Sequence, residues 1–181
     1  MLIQINPDKL LPVKCELSSI LLPWITYEDS LTERLHQKAG DARLEVLGQQ
    51  WEAPNWWDKQ VLHIKTEPVF HREILMWSGK EACWYARTIL PKETYRAEPS
   101  FFDRLQNESM GELIFNESRI KRAYLMHYPI CKQSIEYSWL SQAMHGNATV
   151  LWVRASAFVL QGKFPFYLLE TLLPALERYS N

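Results

Sequence analysis

The chain has 181 residues, a formal net charge of −1, 47% hydrophobic residues and 23% charged ones. That length and composition fit a single globular domain with a sizeable core and exclude a disordered chain. Near-neutral charge excludes a general field for nucleic acid or an anionic membrane, so any anion must be met by a few locally placed cations.

The N-terminal MLIQINPDKLLP lacks a basic segment followed by an uninterrupted apolar stretch, so it does not read as a signal peptide. The longest apolar runs are too short to span a bilayer. Residues 28–40, EDSLTERLHQKAG, read as a helix: Ser30 and Glu33 have capping-box spacing, Leu31 and Leu35 share a face, and Gly40 stops it. Residues 44–70 hold two short alternating pieces around the turn-rich EAPNWWDK, which predicts strand, loop, strand. Residues 71–91, HREILMWSGKEACWYARTILP, read as a hairpin folded over Gly79-Lys80.

After Pro99, SFFDRLQNESMGELIF predicts a short helix, a break near Ser109–Gly111 and another turn or two of helix. SRIKRAYLMHYPI is a strand candidate, and KQSIEYSWLSQAMHG has helical apolar spacing at Ile135, Trp139, Leu140 and Met144. TVLWVRASAFVLQGKFPFYLLETLLP predicts two strands around Gly162-Lys163. Hairpin-paired strands with helices interposed argue for an α+β domain on an antiparallel sheet.

The chemistry-bearing residues narrow the function. The five histidines (His36, His63, His71, His127, His145) form no HxH, HExxH or Cys/His ligand spacing, so no metal is expected. With six glycines and neither a GxGxxG nor a Walker sequence, no nucleotide cofactor is expected either. Cys15, Cys83 and Cys131 are odd in number without a CxxC pair, which suits reduced thiols in a cytoplasmic protein. The glycosylation-like triplets at Asn107, Asn116 and Asn147 then count as coincidence.

Counting outward from a two-residue turn at Gly79-Lys80 sets Arg72 directly opposite Arg87, both on a face with Ile74, Met76, Cys83 and Tyr85. The other face then carries His71, Glu73, Leu75, Trp77, Trp84 and Ala86. Like charges opposite one another oppose strand pairing. Either the two arginines reach solvent or carboxylates neutralise them, or they form a site for a planar or multiply carboxylated anion, which a guanidinium fork holds with paired hydrogen bonds. Glu170, among Leu168, Leu169, Leu172 and Leu173, is either a solvent-facing strand residue or a buried one. Burial would raise its pKa and make it a candidate acid. Small residues Ala155, Ser156 and Ala157 on the preceding strand leave room for a ligand beside it.

Together EDSLTERL (28–35), REIL…ARTILP (72–91), MGELIF (110–115), LWVRAS (151–156), GK (162–163) and PFYLLETLLP (165–174) resemble the chorismate pyruvate-lyase family, in that family's order and over nearly the whole chain. The resemblance implies a single domain over residues 1–181: an antiparallel sheet of about six strands with flanking helices, and helical flaps over an internal ligand cavity. It implies conversion of chorismate to 4-hydroxybenzoate and pyruvate, an early step of ubiquinone biosynthesis, by a cofactor-independent lyase. The family's ligand contacts fall on Leu31, Arg72, Met110 and Glu170: the arginine on the ring carboxylate, the glutamate at the ring hydroxyl, and backbone groups at the two flap positions. Arg87 matches a family arginine in or beside the cavity, suited to the enolpyruvyl carboxylate. The stretch 128–147 reads as an insertion relative to the family pattern. The interval from Gly162-Lys163 to Glu170 is one residue longer than that pattern; a bulge at the turn would absorb it, and Pro165 suits an irregular start to that strand. The expected partners are chorismate and 4-hydroxybenzoate, with no nucleic acid and no membrane insertion, in a monomer. The alternative is a non-catalytic effector-sensing module of the same fold; no basic recognition helix precedes the Arg72 hairpin to make it a DNA-binding regulator.

Overall fold

The computed structural model describes residues 5–180, so the first four residues of the MLIQ segment lie outside it. Six strands form one antiparallel sheet in the order β1-β2-β3-β6-β5-β4. They are β1 (Arg43–Glu52), β2 (Val69–Ser78), β3 (Glu81–Pro91), β4 (Ile120–Cys131), β5 (Val150–Leu160) and β6 (Phe164–Leu172). The helices are α1 (Leu22–Ile25), α2 (Leu31–Ala39), α3 (Trp56–Val61), α4 (Lys92–Ala97), α5 (Pro99–Phe102), α6 (Met110–Phe115), α7 (Ile135–Ser138) and α8 (Gln142–His145).

Both sheet faces are covered, and each has its own core. On one face α1, α2, α5 and α6 bring Trp24, Leu35, Phe102 and Leu113 against Ile74, Met76, Trp84, Phe158 and Phe166. On the other, α3 and α7 bring Trp57, Val61 and Tyr137 against Leu75, Tyr85, Val153, Tyr167 and Leu169. Burying one such large side chain is worth roughly 1.5–3 kcal/mol, so both faces contribute to holding the sheet.

Local chemistry explains the helix ends. Ser30 accepts from the Glu33 N–H at the start of α2, and Gly40, at φ +86°, ends it in the left-handed region. Ser109 and Glu112 form a reciprocal capping box on α6. The expected loop around EAPNWWDK is instead partly helix: Asn55 and Asp58 make a second reciprocal box and start α3, so the second strand begins only at Val69. The single helix expected over 132–146 is two one-turn helices, each preceded by a serine, Ser134 and Ser141, in extended conformation. The stretch 128–147 starts inside β4, and its helices cover the second core with Tyr137 and Leu140.

Two registers decide which residues share a face. In the β2–β3 hairpin Ser78 pairs with Glu81 and Trp77 with Ala82, as counted. Between Met76 and Trp77 the register then shifts: Met76 faces Trp84, and Cys83 is the extra, bulged residue. Its carbonyl accepts from the Leu173 N–H at 2.9 Å. From the bulge onward every β3 side chain sits on the opposite face from the one counted. Arg72 pairs with Thr88 and Glu73 with Arg87, so the expected Arg72–Arg87 pairing is corrected. In the β5–β6 hairpin the extra residue is taken up at the turn and the ladder itself is unshifted. Pairing is continuous from Leu160–Phe164 to Arg154–Glu170 and beyond, and the turn Gln161–Lys163 has Gln161 and Gly162 at positive φ.

Candidate active site

Arg72 rises from the middle of β2 on the α2/α6 side and is 1% exposed. Its Nη2 donates to the Glu108 carbonyl at 3.0 Å, while Nε is buried without a hydrogen-bond partner. Among the described residues no carboxylate lies within ion-pair distance of it. Burial holds its pKa down at about 10. A buried cation without a counter-charge costs several kcal/mol, which is the pattern of a residue kept to receive an anion.

The sheet register extends the site from Arg72. One row across the sheet runs Arg72, Thr88, Leu168, Ser156, and the next runs Ile74, Ala86, Glu170, Arg154. Glu170 therefore shares a face with Arg72, two strands away, and the strand between contributes only Ala86 and Thr88. Two strand spacings are about 10 Å, a separation that one aromatic ring carrying a carboxylate and a para hydroxyl can span. Ser156 Oγ is buried on the same face with no hydrogen-bond partner among the described residues. Of the small residues on β5 only Ser156 lies here; Ala155 and Ala157 belong to the opposite core.

Glu170 is buried, 6% exposed, and the charge that compensates it is Arg154, whose Nη1 donates to Oε2. Oε1 receives no hydrogen bond from the described residues. Arg154 was not among the residues singled out in the sequence. It could have been found by counting across Gly162, because β5 and β6 pair without a shift.

Leu31 and Met110 are the first residues of α2 and α6, and both are buried in the core that includes Ile74, Ala86 and Leu168. The two helix starts meet: a Cβ placed on Gly111 would lie 2.8 Å from Ser30 Oγ. Each approach is fastened to the sheet by a guanidinium, Arg72 to Glu108 O before α6 and Arg154 to the Tyr27 and Asp29 carbonyls before α2.

Arg87 is not in this cluster. It projects from the opposite face, 3.3 Å from Glu73 and 3.9 Å from Glu52, with its guanidinium 4.5 Å from the Trp139 ring centroid. The Glu73 carboxylate also accepts from Tyr85 Oη at 2.6 Å. The expectation that Arg72 and Arg87 face one cavity is therefore corrected, and the Cys83 bulge is the cause. Arg72, Glu170, Leu31 and Met110 are brought to one side of the sheet; Arg87 is carried to the other. Among the described residues no three His, Cys, Asp or Glu side chains are placed to share a metal ion, and no helix is long and apolar enough to cross a membrane.

A family model described as chorismate lyase matches residues 10–174. A probable chorismate pyruvate-lyase of Idiomarina loihiensis is 32% identical over 126 residues, which span 70% of this chain and 63% of that protein. A probable chorismate pyruvate-lyase of Coxiella burnetii is 29% identical over 84% of this chain and 82% of its own length. The chorismate pyruvate-lyase of Citrobacter koseri is 28% identical over 90% and 88%. Among solved structures, PhnF from Mycobacterium smegmatis has a TM-score of 0.58 at 15% identity, covering 83% of this chain and 66% of that one. A GntR-family transcriptional regulator from Bacillus cereus has a TM-score of 0.52 at 14% identity, covering 74% and 92%. These last two likenesses concern the fold.

Proposed function

Because the chain belongs to the chorismate lyase family, we propose that it converts chorismate to 4-hydroxybenzoate and pyruvate on the α2/α6 face of the sheet. The observation that carries this reading is Arg72, a buried guanidinium without a carboxylate partner among the described residues, on the same face as Glu170. Arg72 takes the ring carboxylate through charge-assisted hydrogen bonds. Glu170, with Oε1 left over from its pair with Arg154, accepts the hydrogen of the ring hydroxyl. Leu31 and Met110, opening the two flaps, offer backbone N–H groups to the ligand from above. Arg87, on the other face, has no part in it, and the enolpyruvyl role expected of it is dropped.

The chemistry balances without an oxidant or co-substrate. A proton leaves the ring carbon that bears the hydroxyl, and the adjacent ring carbon–oxygen bond breaks. The released enolate of pyruvate takes up a proton at its methylene carbon, and the ring becomes aromatic. Glu170 stands where it can orient the hydroxyl beside the departing proton. The remaining contribution is holding one reactive conformer of the substrate in a site closed by the flaps. On the family resemblance the enzyme is a cytoplasmic monomer at an early step of ubiquinone biosynthesis.

Incubating the purified protein with chorismate tests this. Equimolar 4-hydroxybenzoate and pyruvate are expected. Tight binding of 4-hydroxybenzoate with no pyruvate released would mean an acid-binding module instead, and the absence of both binding and pyruvate release would overturn the reading.

A further inference from the structure

Arg154 sits in the middle of β5, 1% exposed, directly opposite Glu170. One edge of its guanidinium holds the Glu170 carboxylate through Nη1. Nη2 donates to the Tyr27 carbonyl and, at 3.3 Å, to the Asp29 carbonyl. Those carbonyls belong to the short connection that leads through the cap residue Ser30 into α2 and Leu31. Arg122, on neighbouring β4, donates to the carbonyl between them, that of Glu28. Arg34 lies on the Tyr27 ring, 4.4 Å from its centroid. Three successive carbonyls of the flap's approach are thus held by two arginines of the sheet, and one of these also holds the site's carboxylate.

We propose that Arg154 is a positioning residue that ties the orientation of Glu170 to closure of the first flap; the identity of the ligand in this proposal rests on the chorismate reading above. The guanidinium is a planar, rigid fork, so its two edges move together. If the 27–29 segment lifts, the plane must turn and Glu170 loses a buried, charge-assisted partner. If Glu170 swings away from the ring, the carbonyls of the segment lose theirs. Closing the flap therefore sets the carboxylate in place, and a bound ring that fixes Glu170 keeps the flap down.

Arg154→Lys separates this role from a merely structural one. A lysine keeps a positive charge beside Glu170, but a compact ammonium cannot serve the carboxylate and both carbonyls in one plane. The expected result is a KM for chorismate raised about tenfold and 4-hydroxybenzoate leaving about tenfold faster, since flap opening gates release, with kcat lowered to the extent that Glu170 no longer orients the ring hydroxyl. Amide hydrogen exchange of the ligand-free variant should quicken over residues 27–35 while β2 and β3 stay protected. Exchange over residues 27–35 within about twofold of wild type would overturn the proposal, as would a KM and a 4-hydroxybenzoate release rate both within about twofold of wild type. Should Arg154→Lys fail to fold, the double variant Arg154→Met, Glu170→Gln, which removes both buried charges together, gives the same exchange reading. The exchange measurement needs no chorismate. A wild-type protein that releases no pyruvate would strike the functional reading, and unchanged exchange in the variant would strike the latch.

Discussion

At the scale of single residues, Arg72 and Arg87 show that identical side chains fifteen positions apart can do unrelated work. Arg72 is buried without a counter-charge among the described residues; Arg87 is paired with Glu73 and stacked on Trp139. Substituting each should therefore act in opposite senses. Arg72→Met removes a buried, unpaired charge, so the ligand-free protein should gain about 1–2 kcal/mol in stability. Its affinity for 4-hydroxybenzoate should fall roughly 10- to 100-fold. Arg87→Met should lower stability by about 1–3 kcal/mol, moderated because Glu73 can still reach water, and change ligand affinity by less than about threefold. Thermal melts and titration calorimetry on the two variants check both halves.

Arg72 also predicts a pH dependence. Burial lowers its pKa to about 10, and only the protonated guanidinium attracts a carboxylate. Binding of plain benzoate, which has no ring hydroxyl to titrate, should hold steady from neutral pH and weaken as pH rises through that value. A bound anion favours the charged form and shifts the fall upward in the complex. Cys83 offers a check on the same interior: with its thiol pushed up to about 11 by burial, it should resist alkylation under conditions that modify exposed Cys15.

At the scale of elements, what the sequence made legible followed from strong local signals. Ser30 and Gly40 bracket α2, Gly79 turns the β2–β3 hairpin, and Gly162 turns β5–β6. The Cys83 bulge left no such signal. β3 is buried on both faces from Cys83 to Pro91, so its hydrophobic pattern has no period of two from which a slipped register could be read. That one extra residue put Arg87 on the wrong side of the counted sheet. α3 was missed because its cap pairs Asn55 with Asp58, a combination that also suits a turn, and at six residues it is too short to show a helical period. Arg154, among small and apolar neighbours, carried no local signal of its own, although its register to Glu170 follows from a count across the turn.

The meeting of the flaps gives a prediction at this scale. Gly111→Ala should help α6 as a helix by up to about 1 kcal/mol, since alanine is the better helix former. Yet the new Cβ would stand 2.8 Å from Ser30 Oγ and push the two flap starts apart. If the contact matters more, 4-hydroxybenzoate will dissociate several-fold faster from a variant that melts no lower than wild type. Stopped-flow release alongside a thermal melt separates the two effects.

For the whole molecule, the sheet acts as a partition. One face is devoted to packing: Arg87 has its charge met by Glu73, and the carboxylate of Glu136 accepts from Trp57 and Tyr128, with Arg87 Nε the buried side-chain atom left over there among the described residues. The other leaves Arg72 Nε, Arg154 Nε and Ser156 Oγ buried without partners among the described residues, beneath two flaps. A ligand that binds this folded face and not the unfolded chain must stabilise the protein. At a hundred times its dissociation constant the gain is about 2.7 kcal/mol, or roughly 5–10 °C in melting temperature for a domain of this size. 4-Hydroxybenzoate should produce that shift in the wild type, and much less of it in Arg72→Met.

The partition is tested most directly by a crystal structure of the protein with 4-hydroxybenzoate. The ring should lie on the α2/α6 face, its carboxylate on the Arg72 guanidinium and its hydroxyl at Glu170. A ring bound on the opposite face beside Arg87, or bound without contact to Arg72, would contradict the account.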